Sequence, residues 1–276
     1  MEGDEKILAV SAEALFGQNE PFNGFRYKNE SGISLDRAIM PRRFRFMQRS
    51  LLERQGASGS KLEHKQVVPY VIVINPQNMQ VYAYRHCANP QDRDTEVRGL
   101  WFFGMGANVG VTDYYDPSGS EKRYAGEELI MRARDRLIDE AIKMDGKVLE
   151  SRILGFINEE RAEELGLEDE LLEREILGVV YLTLTDSHSV TPRDELFDGG
   201  LAGIDRLMAI TGAADYDDAE ITFNRVYLDP WTRIMKNPLI RVLESLEREN
   251  EIKAEENNNS RNTRKQKGGR GRRDKR

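Results

Sequence analysis

The chain has 276 residues, 39% of them apolar, and a formal net charge of −7, which suits one elaborated domain with a sizeable core. No stretch approaches the roughly 18 uninterrupted apolar residues of a membrane span, and the opening Met-Glu-Gly-Asp-Glu-Lys is acidic where a secretory signal is basic, so a soluble cytoplasmic protein is expected. Cys87 is the only cysteine and there are three histidines, which excludes an intramolecular disulfide and leaves any metal to oxygen ligands.

In chain order, the apolar run from Ile7 to Val10 leads into a Gly/Asn-rich segment, Phe16 to Gly32, that reads as a loop. Residues 36–54 are basic, with Arg37, Arg42, Arg43, Arg45, Arg49 and Arg54 around Phe44 and Phe46, and form either a phosphate-binding surface or a solvated face. Gln66 to Ile74 reads as a buried strand, and Gln80 to Arg85 as its antiparallel partner across the turn residues Asn75-Pro76-Gln77-Asn78. Leu100 to Phe103 runs into a glycine loop, Gly104-Met105-Gly106-Ala107-Asn108-Val109-Gly110, where absent side chains permit close backbone approach.

The best helix covers about Glu121 to Met144, where Ile130, Ala133, Leu137, Ala141 and Met144 recur at helical spacing and commit one face to the core. Ile153 to Ile157 is a short strand, Asn158 to Glu175 an acidic and partly helical segment, and Ile176 to Leu184 a second buried strand. Helices are expected at Leu201 to Thr211 and Pro238 to Asn250. The whole reads as an α/β (α+β) domain over residues 1–250, with a 1–60 extension, a 66–242 core and an unstructured tail, 251–276. Residues 261–276 carry a net charge of +8 against −15 for the rest, so the tail either attaches to nucleic acid or another polyanion, or folds back on the acidic body.

Strand, glycine turn, long acidic helix and returning strand, with Gln66-Val67-Val68-Pro69-Tyr70-Val71, Gly104-Met105-Gly106, Leu154-Gly155-Phe156-Ile157-Asn158 and Leu177-Gly178-Val179-Val180-Tyr181, resemble the Nudix hydrolases, in particular the predicted Nudix phosphoesterase branch. The resemblance implies a mixed sheet sandwiched between helices and a box, G-x5-E-x7-R-E-U-x-E-E-x-G-U with U aliphatic, whose carboxylates hold a divalent metal against a substrate pyrophosphate. Setting U at Leu137 puts the box's first glutamate at Glu127 and its closing acidic pair at Asp139 and Glu140. The box is degenerate: Asp135 stands at the arginine, Arg136 at a metal-associated glutamate, Glu121 at the leading glycine, and Asn108 where the branch has histidine. Arg136, one turn before Glu140, is expected to pair with it.

What the resemblance implies is a hydrolase of a nucleoside diphosphate linked to another group. Glu127, Asp139 and Glu140 would be catalytic, with Mg²⁺ or Mn²⁺ on Asp139 and Glu140, and Gly104, Gly106, Asn108, Arg132 and Arg136 would contact the nucleotide-like substrate. The alternative is a catalytically degenerate Nudix-fold binding module, in which Arg132 and Arg136 present positive charge to an anion and the tail reaches nucleic acid.

Overall fold

The computed structural model describes residues 5–52, 63–86, 100–158, 175–194, 197–203 and 227–269. Its frame is a mixed sheet in the order β13-β6-β5-β4-β10-β9-β2, with β1 and β7 also paired to β4, β3 to β1 and β12 to β5. The strands are β1 (Lys6–Ser11), β2 (Gly24–Tyr27), β3 (Phe44–Gln48), β4 (His64–Asn75), β5 (Gln80–His86), β6 (Leu100–Phe102), β7 (Met105–Gly106), β8 (Ile142–Met144), β9 (Val148–Asn158), β10 (Ile176–Thr185), β11 (Val190–Pro192), β12 (Phe197–Gly203) and β13 (Tyr227–Leu228). Helices α1 (Ala12–Phe16), α2 (Leu35–Ala38), α3 (Val111–Tyr114), α4 (Gly126–Ala141) and α5 (Pro230–Gly269) complete the described elements.

β4 and β10 lie side by side in parallel at the centre, in register from Ile176 opposite Gln66 to Leu184 opposite Ile74. Their long apolar runs follow from burial on both faces. Val67, Val71 and Val73 join the core under α4, whereas Val68, Tyr70, Ile72 and Ile74 join the core under α5. The other edge of β4 changes partner along its length, from β1 at 64–66 to β7 at Tyr70 and Val71 and then β5 at Ile74 and Asn75. Pro69, which has no N–H to give, falls in the gap between the first two. The glycine loop enters the sheet at this change of partner.

α4 is shorter than its periodicity suggests. Tyr124 N–H donates to Tyr114 O, and Arg123 bridges Tyr115, so residues 121–125 lie outside the helix. The helix opens at Gly126, whose φ of +60° suits glycine, and the Asp36 carboxylate accepts the Glu127 N–H at 3.0 Å in place of a side-chain cap from α4 itself. It stops at Ala141 because Ile142–Met144 pair with Val190–Pro192 as strands.

Other elements also depart from expectation. Within the expected loop, Gly24–Tyr27 pair with β9, which itself starts at Val148. Leu201 lies in a strand, not a helix, because β12 is paired with β5 and Gly199 lets it press against Tyr84, where a Cβ would come within 2.4 Å of the Tyr84 Cβ. Residues 204–211 of that expected helix, and 159–174 of the acidic segment, lie outside the described residues.

The C-terminal helix starts at Pro230, eight positions before Pro238, with Pro238 inside it. Trp231, Met235, Leu239, Leu243 and Leu246 are spaced so that one stripe reaches the sheet. Trp231 lies on β10 where Gly178 leaves room, since a Cβ there would be 2.7 Å from its ring. The helix also continues through residues 251–269, where composition suggested an unstructured tail. Residues 251–256 are mostly good helix formers, whereas Asn257 to Thr263 and Gly268-Gly269 are mostly poor ones, so the helix runs through them as an extension of the nucleus already formed upstream. Residues 270–276 lie outside the described residues.

Candidate functional site

The glycine loop and α4 meet through a charged cluster built around Arg136. Its guanidinium donates to both carboxylate oxygens of Asp113, Nε to Oδ1 at 2.9 Å and Nη2 to Oδ2 at 3.0 Å. Nη2 also donates to the Asn108 carbonyl at 2.7 Å, and Nη1 to Glu140 Oε2 at 3.1 Å, so the expected pairing with Glu140 forms. Asp113 is buried, with 4% of its side chain exposed, and also accepts the Gly110 N–H at 2.9 Å. Its hydrogen bonds push the Arg136 guanidinium above its ordinary pKa. The forked geometry matches a carboxylate, which makes this the strong kind of ion pair.

Arg132, one turn earlier, donates from Nε to Asp113 O at 3.0 Å and stacks over Tyr124, 4.0 Å from the ring centroid. Both arginines predicted to meet a substrate thus brace residues 108–115 against α4. The Asn108 side chain is engaged as well: its Oδ1 accepts from Gln66 and its Nδ2 donates to Glu5, each at 2.6 Å.

The two glycines differ. A Cβ on Gly104 would lie 2.3 Å from the Tyr70 ring, and the Gly104 carbonyl accepts the Tyr84 hydroxyl at 3.1 Å, so Gly104 is needed for packing. Gly106 is exposed, and a Cβ there would make only ordinary contact with Pro69 O at 3.9 Å. Below them, Tyr70 OH lies 3.3 Å from Thr232 Oγ1, which accepts the Phe103 N–H, while Asp229 caps α5 by accepting the Thr232 N–H. Burial pushes the Asp229 carboxyl up to about 6 against the pull of its capping hydrogen bonds.

The three predicted carboxylates are not gathered at one point. Glu127 pairs with Lys28 at 3.0 Å on one flank of α4, while Glu140 faces Arg136 on the other. By ideal helical geometry they stand about 20 Å apart along the axis and roughly 140° apart around it. Asp139 is exposed and enters no ion pair among the described residues. Among the described residues no group of three or more His, Cys, Asp or Glu side chains could hold a metal.

Sequence reasoning missed Asp113, Asp36 and Asp229, each of which reaches across to an element distant in the chain or caps a helix. The only local signal was an Asp three residues after Gly110, at the third position of a short helix where a carboxylate bonds back to the cap. His188 lies in a loop, 3.5 Å from Asn78, and His64 lies at the start of β4. Cys87 and the His86 side chain lie outside the described residues. Trp231 is a core aromatic.

No family model matches the sequence, and no curated protein matches it. Among solved structures, the crystal structure of Tm1382, a protein provisionally described as a Nudix hydrolase, aligns with a TM-score of 0.56 at 20% identity, covering 86% of this chain and 100% of that one. The chain therefore has a Nudix-like fold, a mixed α/β architecture with helices on the two faces of its sheet. No helix among the described residues is long and apolar enough to cross a membrane.

Proposed function

We propose that this chain is a Nudix-fold binding module for a nucleotide-like anion, in which a fixed guanidinium replaces the metal chemistry of the box. The observation that carries this reading is the Arg136 cluster. Its guanidinium already satisfies Glu140, Asp113 and the Asn108 carbonyl, the oxygens that α4 and the glycine loop bring together.

Mg²⁺ requires close, near-octahedral oxygen ligation at about 2.1 Å, and a dication on Glu140 would share that carboxylate with a permanent positive charge 3.1 Å away. Asp139 contributes one further exposed carboxylate. These residues do not fit a divalent metal, so no hydrolytic step is derived through one. Arg136 remains 34% exposed and its Nη1 is held by the exposed Glu140, so an anion reaching the Gly106 to Asn108 backbone would engage the guanidinium by displacing Glu140 from it.

The test is a calorimetric titration of the purified chain with nucleotides, dinucleotides and nucleotide sugars, with Mn²⁺ and with chelator, together with turnover assays on the same compounds. The reading expects nucleotide binding that survives chelation and no metal-dependent turnover. Metal-dependent turnover that disappears in both Asp139→Ala and Glu140→Ala would instead establish the hydrolase.

The charge of residues 261–276 supports a second attachment, to nucleic acid, through counterion release without base selection. Leu246 is the last residue of α5 in the described core, so by helical rise the stretch to Gly269 extends roughly 35 Å further. Binding to single-stranded or duplex DNA should weaken steeply with salt and vanish when residues 261–276 are deleted. Equal binding by the truncated chain would remove this role.

A further inference from the structure

A concavity lies where β1, β3 and β4 run side by side, near α1. Its volume is about 690 Å³, and its wall includes Glu13, Phe16, Asn19, Arg45, Glu63 and His64. Volumes of this order are typical of small-molecule sites. The sheet sets the wall: Ser11 is opposite His64, Ala9 is opposite both Gln66 and Arg45, and the period of two places His64, Gln66 and Arg45 on one face.

Two features of that wall are unsatisfied. The Nδ1 atom of His64 is buried without a hydrogen-bond partner among the described residues. A buried polar atom left unpaired costs on the order of 1–3 kcal/mol, and such an atom calls for a group that bonds it. Arg45 is exposed and forms no ion pair among the described residues. Burial and then the Arg45 charge hold the imidazole below its ordinary pKa, with Glu63 opposing more weakly. At neutral pH the cleft thus presents a permanent cation, an uncharged imidazole and the carboxylates of Glu13 and Glu63.

We propose that this cleft binds a small phosphorylated sugar or a ligand of that chemistry, independently of the Arg136 site. The guanidinium fork of Arg45 suits a phosphate oxyanion. A ligand hydroxyl donates to His64 Nδ1, further hydroxyls donate to Glu13 and Glu63, and Phe16 supplies an apolar wall. The two carboxylates select against a bare anion and favour an anion that carries hydroxyls.

The experiment follows the imidazole proton resonances of the full chain while ribose 5-phosphate is added. His64 is identified by loss of its signal in His64→Gln, and inorganic phosphate and free ribose serve as separate arms. The expected result is a saturable shift of the His64 signal with ribose 5-phosphate. Phosphate or ribose alone should act at least tenfold more weakly, about 1.4 kcal/mol. Arg45→Gln, a change at an exposed side chain whose fold is checked by thermal melting, should lose the response. An unmoved His64 signal at millimolar ligand, a response that persists in Arg45→Gln, or equal binding of inorganic phosphate would each overturn the proposal. Because Arg136 takes no part, Arg136→Ala should leave the His64 response intact, which separates failure here from failure of the box reading.

Discussion

Arg136 and Asp113 form a two-point ion pair, 2.9 and 3.0 Å, between α4 and a carboxylate that is almost wholly buried. The pair fixes the glycine loop to the helix. Replacing Arg136 by Ala leaves the Asp113 charge buried with the Gly110 N–H as its remaining hydrogen-bond donor. Removing one partner of a buried pair costs roughly 3–5 kcal/mol, and with Arg136 partly exposed the low end is expected. Urea unfolding of Arg136→Ala should show a loss of about 3 kcal/mol; a loss below about 1 kcal/mol would place this pair with ordinary surface pairs.

Arg136→Glu should have two opposed effects. It sets three carboxylates, at positions 113, 136 and 140, around the loop carbonyl, so Mn²⁺ should bind more tightly than to the parent. It also destabilises the metal-free fold through like-charge repulsion, and added Mn²⁺ should raise the melting temperature by mass action. Calorimetric titration and melting with and without Mn²⁺ read both. Absence of any metal response would show that the geometry around Asp113 does not support a cation.

Gly104 and Gly106 should behave differently despite their shared motif. Gly104→Ala puts a methyl group into the Tyr70 ring, and overpacking of this kind costs about 1–3 kcal/mol. Gly106→Ala should lie within about 0.5 kcal/mol of the parent, as exposed substitutions usually do. Parallel denaturant melts decide it, and equal effects would contradict the packing role of Gly104.

Asp229 should make the fold more stable in mild acid. Its folded pKa, about 6, lies above the unfolded value near 3.9, so the native state holds the proton more tightly in between. Stability from this group is greatest below about pH 4 and falls as pH rises through 6. Asp229→Asn keeps an oxygen for the Thr232 N–H and should flatten that slope, gaining about 1–3 kcal/mol at pH 7. Melting curves from pH 4 to 8 would show an unchanged slope if the group does not titrate there.

Asp36→Ala should loosen the start of α4, because that carboxylate accepts the Glu127 N–H from a separate helix. Loss of a cap costs about 1 kcal/mol, and hydrogen exchange should accelerate selectively at residues 127–129. Uniform exchange across α4 would argue against a local cap.

The sequence by itself determined the buried strands at the centre and the apolar stripe of α4, because periodicity and residue identity are local properties. It also indicated the Arg136 to Glu140 pair, since residues four apart on a helix are neighbours. Only the tertiary structure decided that Arg136 belongs chiefly to Asp113, that Asp36 starts the helix, that Gly104 serves Tyr70, and that Leu201 lies in a strand. Each of these rests on groups brought together from distant points in the chain, and a charge or a glycine carries no local mark of the partner that will satisfy it.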